Sequence, residues 1–165
     1  MEEFAIPGVG AIITQEMNGE TSILLQTRIR PNIPDQDGLL EIPAGKIQAF
    51  ENIFDALRRE VKEETGLDVT EILGENLSTI YEAQSYTVVN FTPFGCSQNL
   101  EGNYPIMTFT FVCRATGELL PLSEEASNFK WTSVPEIKKL LSASPEIFFA
   151  MHVDTLRKYV DFCGL

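Results

Sequence analysis

Residues 45–67, GKIQAFENIFDALRREVKEETGL, combine a helical pattern of apolar side chains with a high density of acidic ones. The apolar side chains recur at spacings of three and four residues: Phe54, Leu57 and Val61. That periodicity, in a segment without internal glycine or proline, predicts an amphipathic helix spanning roughly residues 51–65. Gly66 follows in the position where a left-handed C-cap is least costly.

The acidic side chains of this segment also follow a helical spacing, since three glutamates lie three and four residues apart: Glu60, Glu63 and Glu64. Such residues project from one face, which we expect to lie beside the apolar stripe and to display its carboxylates to solvent. Like charges on adjacent turns destabilise a helix by about 0.2–0.5 kcal/mol per pair, and a hard cation with oxygen ligands would offset this repulsion. On these residues alone, a solvated acidic face and a Mg²⁺ site are both open.

The charge balance of the chain bears on its partners. Of its 165 residues, 24 are acidic and 12 are lysine or arginine, which gives a net charge of −12. That charge opposes non-specific binding to nucleic acid, so no stable nucleic acid complex is expected. It would also repel a diphosphate substrate unless divalent cations, held by carboxylates, lie between protein and substrate. The length favours a single domain over residues 1–165.

Neither membrane insertion nor export is indicated by the sequence. Its longest apolar runs, such as IFFAM at residues 147–151, fall far short of the ~20 residues that a membrane span needs. The segment MEEF at residues 1–4 has acids where a signal peptide has bases. We therefore expect a soluble, cytoplasmic protein without a membrane partner.

Cysteine and histidine do not indicate a second kind of site. The three cysteines form no CxxC pair and predict ordinary buried or partly buried thiols: Cys96, Cys113 and Cys163. His152 lies in an apolar stretch without a nucleophile motif, which predicts a packing or surface histidine.

Strands are predicted on both sides of the helix by β-branched and aliphatic segments. We place them at residues 4–14, 21–28, 39–42, 79–81, 86–94, 106–115 and 131–132, with a turn at 16–20 and loops at 28–38 and 99–105. Two further helices are predicted at residues 135–141 and 145–160, each opened by a proline. Strands around one helix, followed by further helices, indicate a mixed α/β sandwich.

The spacing of particular residues is more specific than either periodicity. Gly45, five residues, Glu51, seven residues and then REVKEETGL at residues 59–67 match the Nudix box, GX₅EX₇REUXEEXGU with U aliphatic, at every defined position. A chance match in a chain of this length is on the order of 10⁻⁶. The sequence therefore resembles the Nudix hydrolase family over essentially residues 4–141. The resemblance implies an α/β/α sandwich around a mixed β-sheet, with box residues 45–67 forming loop, helix and loop and C-terminal helices at about residues 135–162.

The resemblance also implies roles for residues of the box. Three positions match the family's metal-ligating glutamates: Glu60, Glu63 and Glu64. Gly45 matches the position at which the backbone approaches the metal site closely, and Glu51 and Arg59 match the pair that orients the helix and supports the ligands. The implied cofactor is Mg²⁺ or Mn²⁺, and the implied reaction is attack of water on phosphorus without a covalent intermediate.

Outside the box, the resemblance leaves alternatives open. Glu124 and Glu125 lie where some relatives place an extra metal ligand or general base, although loop solvation also explains them. Arg28 and Arg30 could grip phosphate or stack on a base, or they could be surface arginines. Phe50 stands where many relatives have glycine, which predicts an altered loop; its side chain either packs or lines the substrate mouth.

A small-molecule nucleotide is the expected substrate. The segment EIPAGK at residues 41–46 resembles ADP-ribose and nucleotide-sugar hydrolases of the family. NTP, dinucleoside polyphosphate and RNA 5′ pyrophosphohydrolases, or a non-catalytic ligand sensor, are the alternatives, and a homodimer is left open. The ADP-ribose and nucleotide-sugar hydrolases often carry a proline about sixteen residues beyond the box, but position 83 here is Ala83. The tyrosines typical of dinucleoside polyphosphate hydrolases fall near, but not clearly at, Tyr81 and Tyr86. Aromatic side chains could supply a base-stacking surface: Phe91, Phe94 and Tyr104.

Overall fold

A mixed eight-stranded sheet forms the centre of the protein, and three helices of the described chain pack around it. The computed structural model describes residues 2, 4–102 and 104–165. The strands are β1 (Ile6–Met17), β2 (Glu20–Arg28), β3 (Leu40–Glu41), β4 (Ala44–Lys46), β5 (Asp68–Ile72), β6 (Thr79–Ala83), β7 (Tyr86–Asn90), β8 (Gly95–Gln98), β9 (Ile106–Thr116) and β10 (Ala126–Ser133). The helices are α1 (Ile53–Thr65), α2 (Val134–Ala143) and α3 (Ala150–Phe162).

Parts of two predictions fall on residues without a described structure. Met1 and Glu3, on which the export argument partly rests, lie outside the described residues. Asn103, within the predicted loop at 99–105, lies outside them as well.

The order of the main strands is β10-β2-β1-β9-β5, with β3 on β2, β4 on β1 and β8 on β9. The central pair β1 and β9 is parallel, from Ile6 beside Ile106 to Ile13 beside Cys113, whereas the other pairs in this sheet are antiparallel. Strands β6 and β7 form a separate two-stranded sheet, a hairpin with Gln84 and Ser85 at its tip. The strands therefore form one mixed sheet and one separate hairpin.

The two faces of the main sheet bury separate apolar clusters. On one face, α1 packs on side chains that include Val9, Ile13 and Phe111. On the other face, α2 and α3 pack on a cluster that includes Ile12 and Leu25. Because successive strand residues point to opposite faces, the near-continuous apolar run of β1 serves both clusters. The predicted α/β/α sandwich around a mixed sheet is confirmed.

The first hairpin closes more tightly than predicted. Strands β1 and β2 pair up to Met17 beside Glu20, so the turn consists of Asn18 and Gly19 rather than residues 16–20. Both turn residues have positive φ, 52° for Asn18 and 81° for Gly19. Asn-Gly is the dipeptide that a two-residue hairpin turn favours, because its two central residues need such angles.

The sheet contains strands that were not predicted, and one predicted strand is shorter than expected. Strand β5 and the edge strand β8 were not predicted, and the strand predicted at 86–94 ends at Asn90. The residues of β8, GCSQ, carry little strand propensity, and pairing with β9 alone makes them a strand. Long-range pairing therefore outweighs local preference at this edge.

The last helix starts later than predicted. Residues Pro145–Ile147 form a separate 3₁₀ turn, and α3 begins at Ala150. Between them Phe148 is extended and forms a bridge with Leu40, whose carbonyl accepts a hydrogen bond from the Phe149 N–H at 2.8 Å. A contact with a segment about 110 residues earlier interrupts the helical pattern. A proline therefore opens α2, as predicted, but not α3.

The remaining expectations divide between right and wrong. None of the described helices has the length and hydrophobicity required to cross a bilayer. Cys113 is buried as predicted, but Cys96 and Cys163 are exposed, since Cys96 points outward from the edge strand β8 and Cys163 follows the end of α3. His152 is a buried packing residue beside Phe149, and burial lowers its pKa to about 3.

Candidate active site

Capping contacts set the limits of α1. The side-chain oxygen of Asn52 accepts a hydrogen bond from the Phe54 N–H at 2.9 Å, so the helix begins at Ile53. At the other end Gly66 has φ 81° and caps the helix as predicted. Glu51 precedes the cap and lies in the loop, so the prediction that it belongs to the helix is wrong by two residues.

The guanidinium of Arg59 joins this loop to the carboxylates on α1. Its Nε and Nη2 donate to the Glu51 carboxylate at 2.7 and 2.8 Å, and Nη1 donates to Glu60 at 2.6 Å and to Glu63 at 3.2 Å. Nη2 also donates to the Lys46 carbonyl at 3.0 Å. Hydrogen bonds from Arg59 lower the pKa of Glu51 to about 2 and those with Glu51 raise the pKa of Arg59. One side chain therefore fixes the loop and the helix relative to each other.

Glu64 points into the protein, so the prediction that it is displayed on a solvent-facing acidic face is wrong. Glu64 is only 6% exposed. It follows Leu57 by seven residues, or about two helical turns, and therefore lies on the same buried face of the helix. Its Oε2 accepts from Gln26 Nε2 at 2.9 Å and from the Ala44 N–H at 3.1 Å. Burial, aided by the charge of Glu41, raises the pKa of Glu64 to about 8.

A series of hydrogen-bonded polar side chains behind Glu64 was not predicted from the sequence. Gln26 Nε2 also donates to Glu41 at 3.2 Å, and Arg28 Nη1 donates to the other oxygen of Glu41 at 2.8 Å. Gln26 and Glu41 are register partners on β2 and β3, and both are buried. A polar glutamine at a buried position of the apolar run ILLQ was the available signal. Burial raises the pKa of Glu41.

Gly45 is the point where the backbone comes closest to a helix carboxylate. A Cβ added at Gly45 would lie 2.0 Å from the carboxylate carbon of Glu60, closer than atoms can approach. The expectation of a close backbone approach at Gly45 therefore has a steric basis. Burial raises the pKa of Glu60, while its hydrogen bond from Arg59 acts in the opposite direction.

The arginines predicted to contact substrate already have carboxylate partners. Arg28 pairs with Glu41 and stacks on the Phe149 ring, with its guanidinium carbon 4.2 Å from the ring centroid. Arg30 pairs with the exposed Glu125. Glu125 also acts electrostatically on Glu60 and Glu64, raising the pKa of each.

The two loop glutamates therefore differ in their surroundings. Glu124 is exposed, and it is not among the charges that shift the pKa of Glu60 or Glu64. Glu125 acts on Glu60 and Glu64 through electrostatics, and it also pairs with Arg30.

Phe50 is fully exposed and has a φ of 63°. Of the two alternatives for its side chain, packing is therefore wrong, and the backbone has the left-handed conformation that a glycine would favour. Phe50 lines a groove of about 410 Å³ together with Glu51, Asn52 and the facing side of the β6–β7 hairpin.

The predicted base-stacking surface is wrong for two of its three aromatic residues. Phe91 packs against Phe54, Phe109 and Phe111, with ring centroids 5.7–6.4 Å apart. Phe94 packs against aromatic rings of α3. Tyr104 has the Lys46 ammonium 5.4 Å from its ring centroid.

The carboxylates fit a divalent cation, although they do not form a finished cage. Within the described residues, no group of three or more His, Cys, Asp or Glu side chains is already arranged to hold a metal ion. Glu60 and Glu63 instead face Arg59, and Glu64 faces Gln26. Mg²⁺ needs only one or two carboxylates besides water and substrate oxygens, and clustered carboxylates whose pKa is raised by burial favour a nearby cation. Because Gly45 has no Cβ, the Glu60 carboxylate lies directly against the backbone at this position.

The α/β/α fold and the carboxylate-bearing helix beside Gly45 have the arrangement expected of a Nudix hydrolase. Residues 5–150 match the family model described as NUDIX domain, and the chain belongs to the Nudix family. Divalent metal is the family's general requirement. No curated protein sequence matches the chain.

Solved structures share the fold at low sequence identity. A MutT protein from Methanosarcina mazei has a TM-score of 0.66 at 22% identity, covering 99% of this chain and 98% of that chain. The NUDIX domain of Shewanella oneidensis NrtR, complexed with ADP ribose, has a TM-score of 0.66 at 12% identity, with coverages of 98% and 90%. A Caenorhabditis elegans Ap4A hydrolase has a TM-score of 0.58 at 18% identity, with coverages of 97% and 98%.

Proposed function

We propose that the protein hydrolyses a nucleoside diphosphate linked to another moiety, such as ADP-ribose or a nucleotide sugar, by attack of water on phosphorus. The observation that carries the proposal is the Arg59 network, which holds Glu60 and Glu63 while Glu60 lies against the backbone of Gly45. An arginine that spans the loop and the helix keeps the carboxylates in place before substrate arrives, and preorganised charge is the main contribution to catalysis at such sites.

Glu60, Glu63 and Glu64 are the residues that would hold Mg²⁺, or Mn²⁺, with the backbone at Gly45 close by. When bound, such an ion polarises phosphoryl oxygens and offsets the charge that develops on them. A cation bound between them would also offset the repulsion between a polyanionic substrate and a chain of net charge −12.

The remaining residues of the network act on these ligands. Arg59 and Glu51 orient the start of α1, and the two hydrogen bonds on Glu64 Oε2 fix one of its oxygens. Gln26 also separates Glu64 from the carboxylate of Glu41. Such supporting hydrogen bonds matter because partners of metal ligands set the orientation of those ligands.

A loop glutamate is proposed as the general base that accepts a proton from the attacking water. The candidates are Glu124, Glu125 and a glutamate of the box, and the electrostatic proximity of Glu125 to Glu60 and Glu64 favours Glu125. Arg30, its partner, is the arginine proposed to contact substrate phosphate, whereas Arg28 is held between Glu41 and Phe149.

The substrate class rests on the segment 41–46 and on the likeness of its fold to a NUDIX domain complexed with ADP ribose. The acidic chain favours a small nucleotide over RNA. We propose a single catalytic domain over residues 1–165. The cytoplasmic location stays a prediction, and a homodimer stays an open possibility.

A comparison of kcat/KM for ADP-ribose, a UDP-sugar, dGTP and Ap4A, with Mg²⁺ and with Mn²⁺, tests the substrate class. We expect ADP-ribose or the UDP-sugar to be preferred. A preference of more than about tenfold, or about 1.4 kcal/mol in transition-state binding, for dGTP or Ap4A would overturn the assignment.

A further inference from the structure

The groove beside the box is built from two separate parts of the chain. One wall is the loop before α1, which contributes Phe50, Glu51 and Asn52. The other wall is the β6–β7 hairpin, which contributes Ile80, Ser85, Thr87 and Val89. Its volume of about 410 Å³ lies within the range of about 300–1,000 Å³ typical of small-molecule sites.

The groove adjoins the carboxylate network through a shared residue. Glu51 lines the groove, and both of its carboxylate oxygens accept hydrogen bonds from Arg59. Arg59 in turn contacts Glu60 and Glu63. A molecule with its phosphates at these carboxylates can therefore extend into the groove with its other end.

Phe50 has a conformation and an exposure that stability does not explain. A bulky side chain at φ 63° is strained relative to the right-handed region, and glycine avoids this strain. Phe50 gains no compensation from packing, because its side chain is fully exposed. An unrelieved strain of this kind points to a role in binding.

The side chains that line the groove determine which ligands fit it. Ile80 and Val89 are cross-strand partners and give an apolar floor, while Ser85 and Thr87 add hydroxyl groups. None of the described lining residues is cationic, and Glu82 projects from the same hairpin face as Ile80. A phosphate is therefore disfavoured, whereas a flat uncharged ring with hydrogen-bonding edges suits the groove.

We propose that this groove is the nucleobase subsite, in which the base stacks on Phe50 and its edge meets the hydroxyl groups of the hairpin. The proposal rests on the proposed hydrolysis of a nucleotide, and it identifies the part of the protein that binds and selects the base. Stacking on an aromatic side chain tolerates every base because each has a π-face, so the hydroxyl groups supply any preference among bases.

Three substitutions at Phe50 separate the ring from the backbone. Phe50→Gly removes the ring and suits the left-handed backbone, Phe50→Leu keeps apolar bulk, and Phe50→Trp keeps a flat ring. With ADP-ribose, or the nucleotide that proves to be the better substrate, we expect the Gly and Leu variants to raise KM by about tenfold with kcat within twofold. Phe50→Trp retains the KM of the parent, and the control Tyr81→Leu, an exposed aromatic on the outer hairpin face, leaves KM unchanged.

A binding measurement separates this subsite from the hydrolase assignment. In Phe50→Trp without metal, adenosine should quench the introduced indole in a saturable way, and ribose 5-phosphate should not. An active enzyme whose KM is unchanged in Phe50→Gly, together with no adenosine quenching, would overturn the subsite and leave the hydrolase standing. Quenching by adenosine in a protein without diphosphate hydrolysis would uphold the subsite while the proposed function fails.

Discussion

The box helix α1 with the loop that precedes it, and the β6–β7 hairpin across the groove from that loop, differ in how firmly their side chains are held. On α1, one guanidinium makes five hydrogen bonds that reach the loop and two helix carboxylates. On the hairpin, both strands pair only with each other, and Ile80, Tyr81 and Tyr86 are exposed. The first region has the fixed geometry that bond cleavage needs, and the second has the open surface that substrate selection can vary. Changes in the first should alter kcat, and changes in the second should alter KM or nothing.

The largest effect is expected at the three helix carboxylates. Glu60→Gln, Glu63→Gln and Glu64→Gln should each lower kcat by at least about 10²-fold, the scale of losing a main electrostatic stabiliser. The fold should survive, and for Glu64 in particular, since burial already raises the pKa of that carboxyl to about 8 and a neutral amide suits the site. Steady-state kinetics with a thermal melt of each variant measures this. Full kcat in all three variants would place catalysis elsewhere.

Arg59→Ala is expected to reduce kcat and stability together. It leaves the Glu51 carboxylate without its two arginine hydrogen bonds and frees Glu60, so we expect a loss of about 1–3 kcal/mol in unfolding free energy. Denaturant unfolding and kinetics of the same preparation measure both. A variant with normal kcat and melting temperature but a raised KM would show that Arg59 contacts substrate instead.

How much of this arrangement the sequence predicts depends on the distance between partners along the chain. The helix period, the Gly66 cap and the Arg59 pairing with Glu51 or Glu63 lie within about fifteen residues and are readable from spacing. The contact of Glu64 with Gln26 spans 38 residues and depends on how α1 docks on the sheet. Glu64 shares a face with Leu57, which the seven-residue spacing could have shown.

Gly45→Ala should separate activity from stability within the first region. The new methyl group would meet the end of the Glu60 side chain, which can swing away at little cost in folding free energy. Since Glu60 would then leave its position, we expect kcat to fall by about tenfold while the melting temperature changes by only a few degrees. Gly74→Ala is a useful contrast, because nothing lies within 4 Å of its added Cβ but its φ is 86°. Gly74→Ala should lower stability and leave kcat unchanged. If Gly45→Ala instead lowered stability and left kcat unchanged, the proposed role of Gly45 would be contradicted.

The smallest effect is expected on the outer face of the hairpin. Tyr86 pairs with Ala83 and does not line the groove, so Tyr86→Ser should change unfolding free energy by no more than about 0.5 kcal/mol. The kcat/KM for ADP-ribose and for Ap4A should stay within about twofold of the parent. A tenfold loss with Ap4A alone would bring substrate to the outer face and favour a dinucleoside polyphosphate.

We expect carboxylates on and beside α1 to make diphosphate hydrolysis depend on a divalent cation. The most direct test is ADP-ribose hydrolysis by the unaltered protein with Mg²⁺, in excess EDTA, and after Mg²⁺ is restored. Hydrolysis should proceed with Mg²⁺, stop in EDTA and return on restoration, because a chain of net charge −12 cannot otherwise hold a polyanion at its carboxylates. Undiminished hydrolysis in excess EDTA would contradict it.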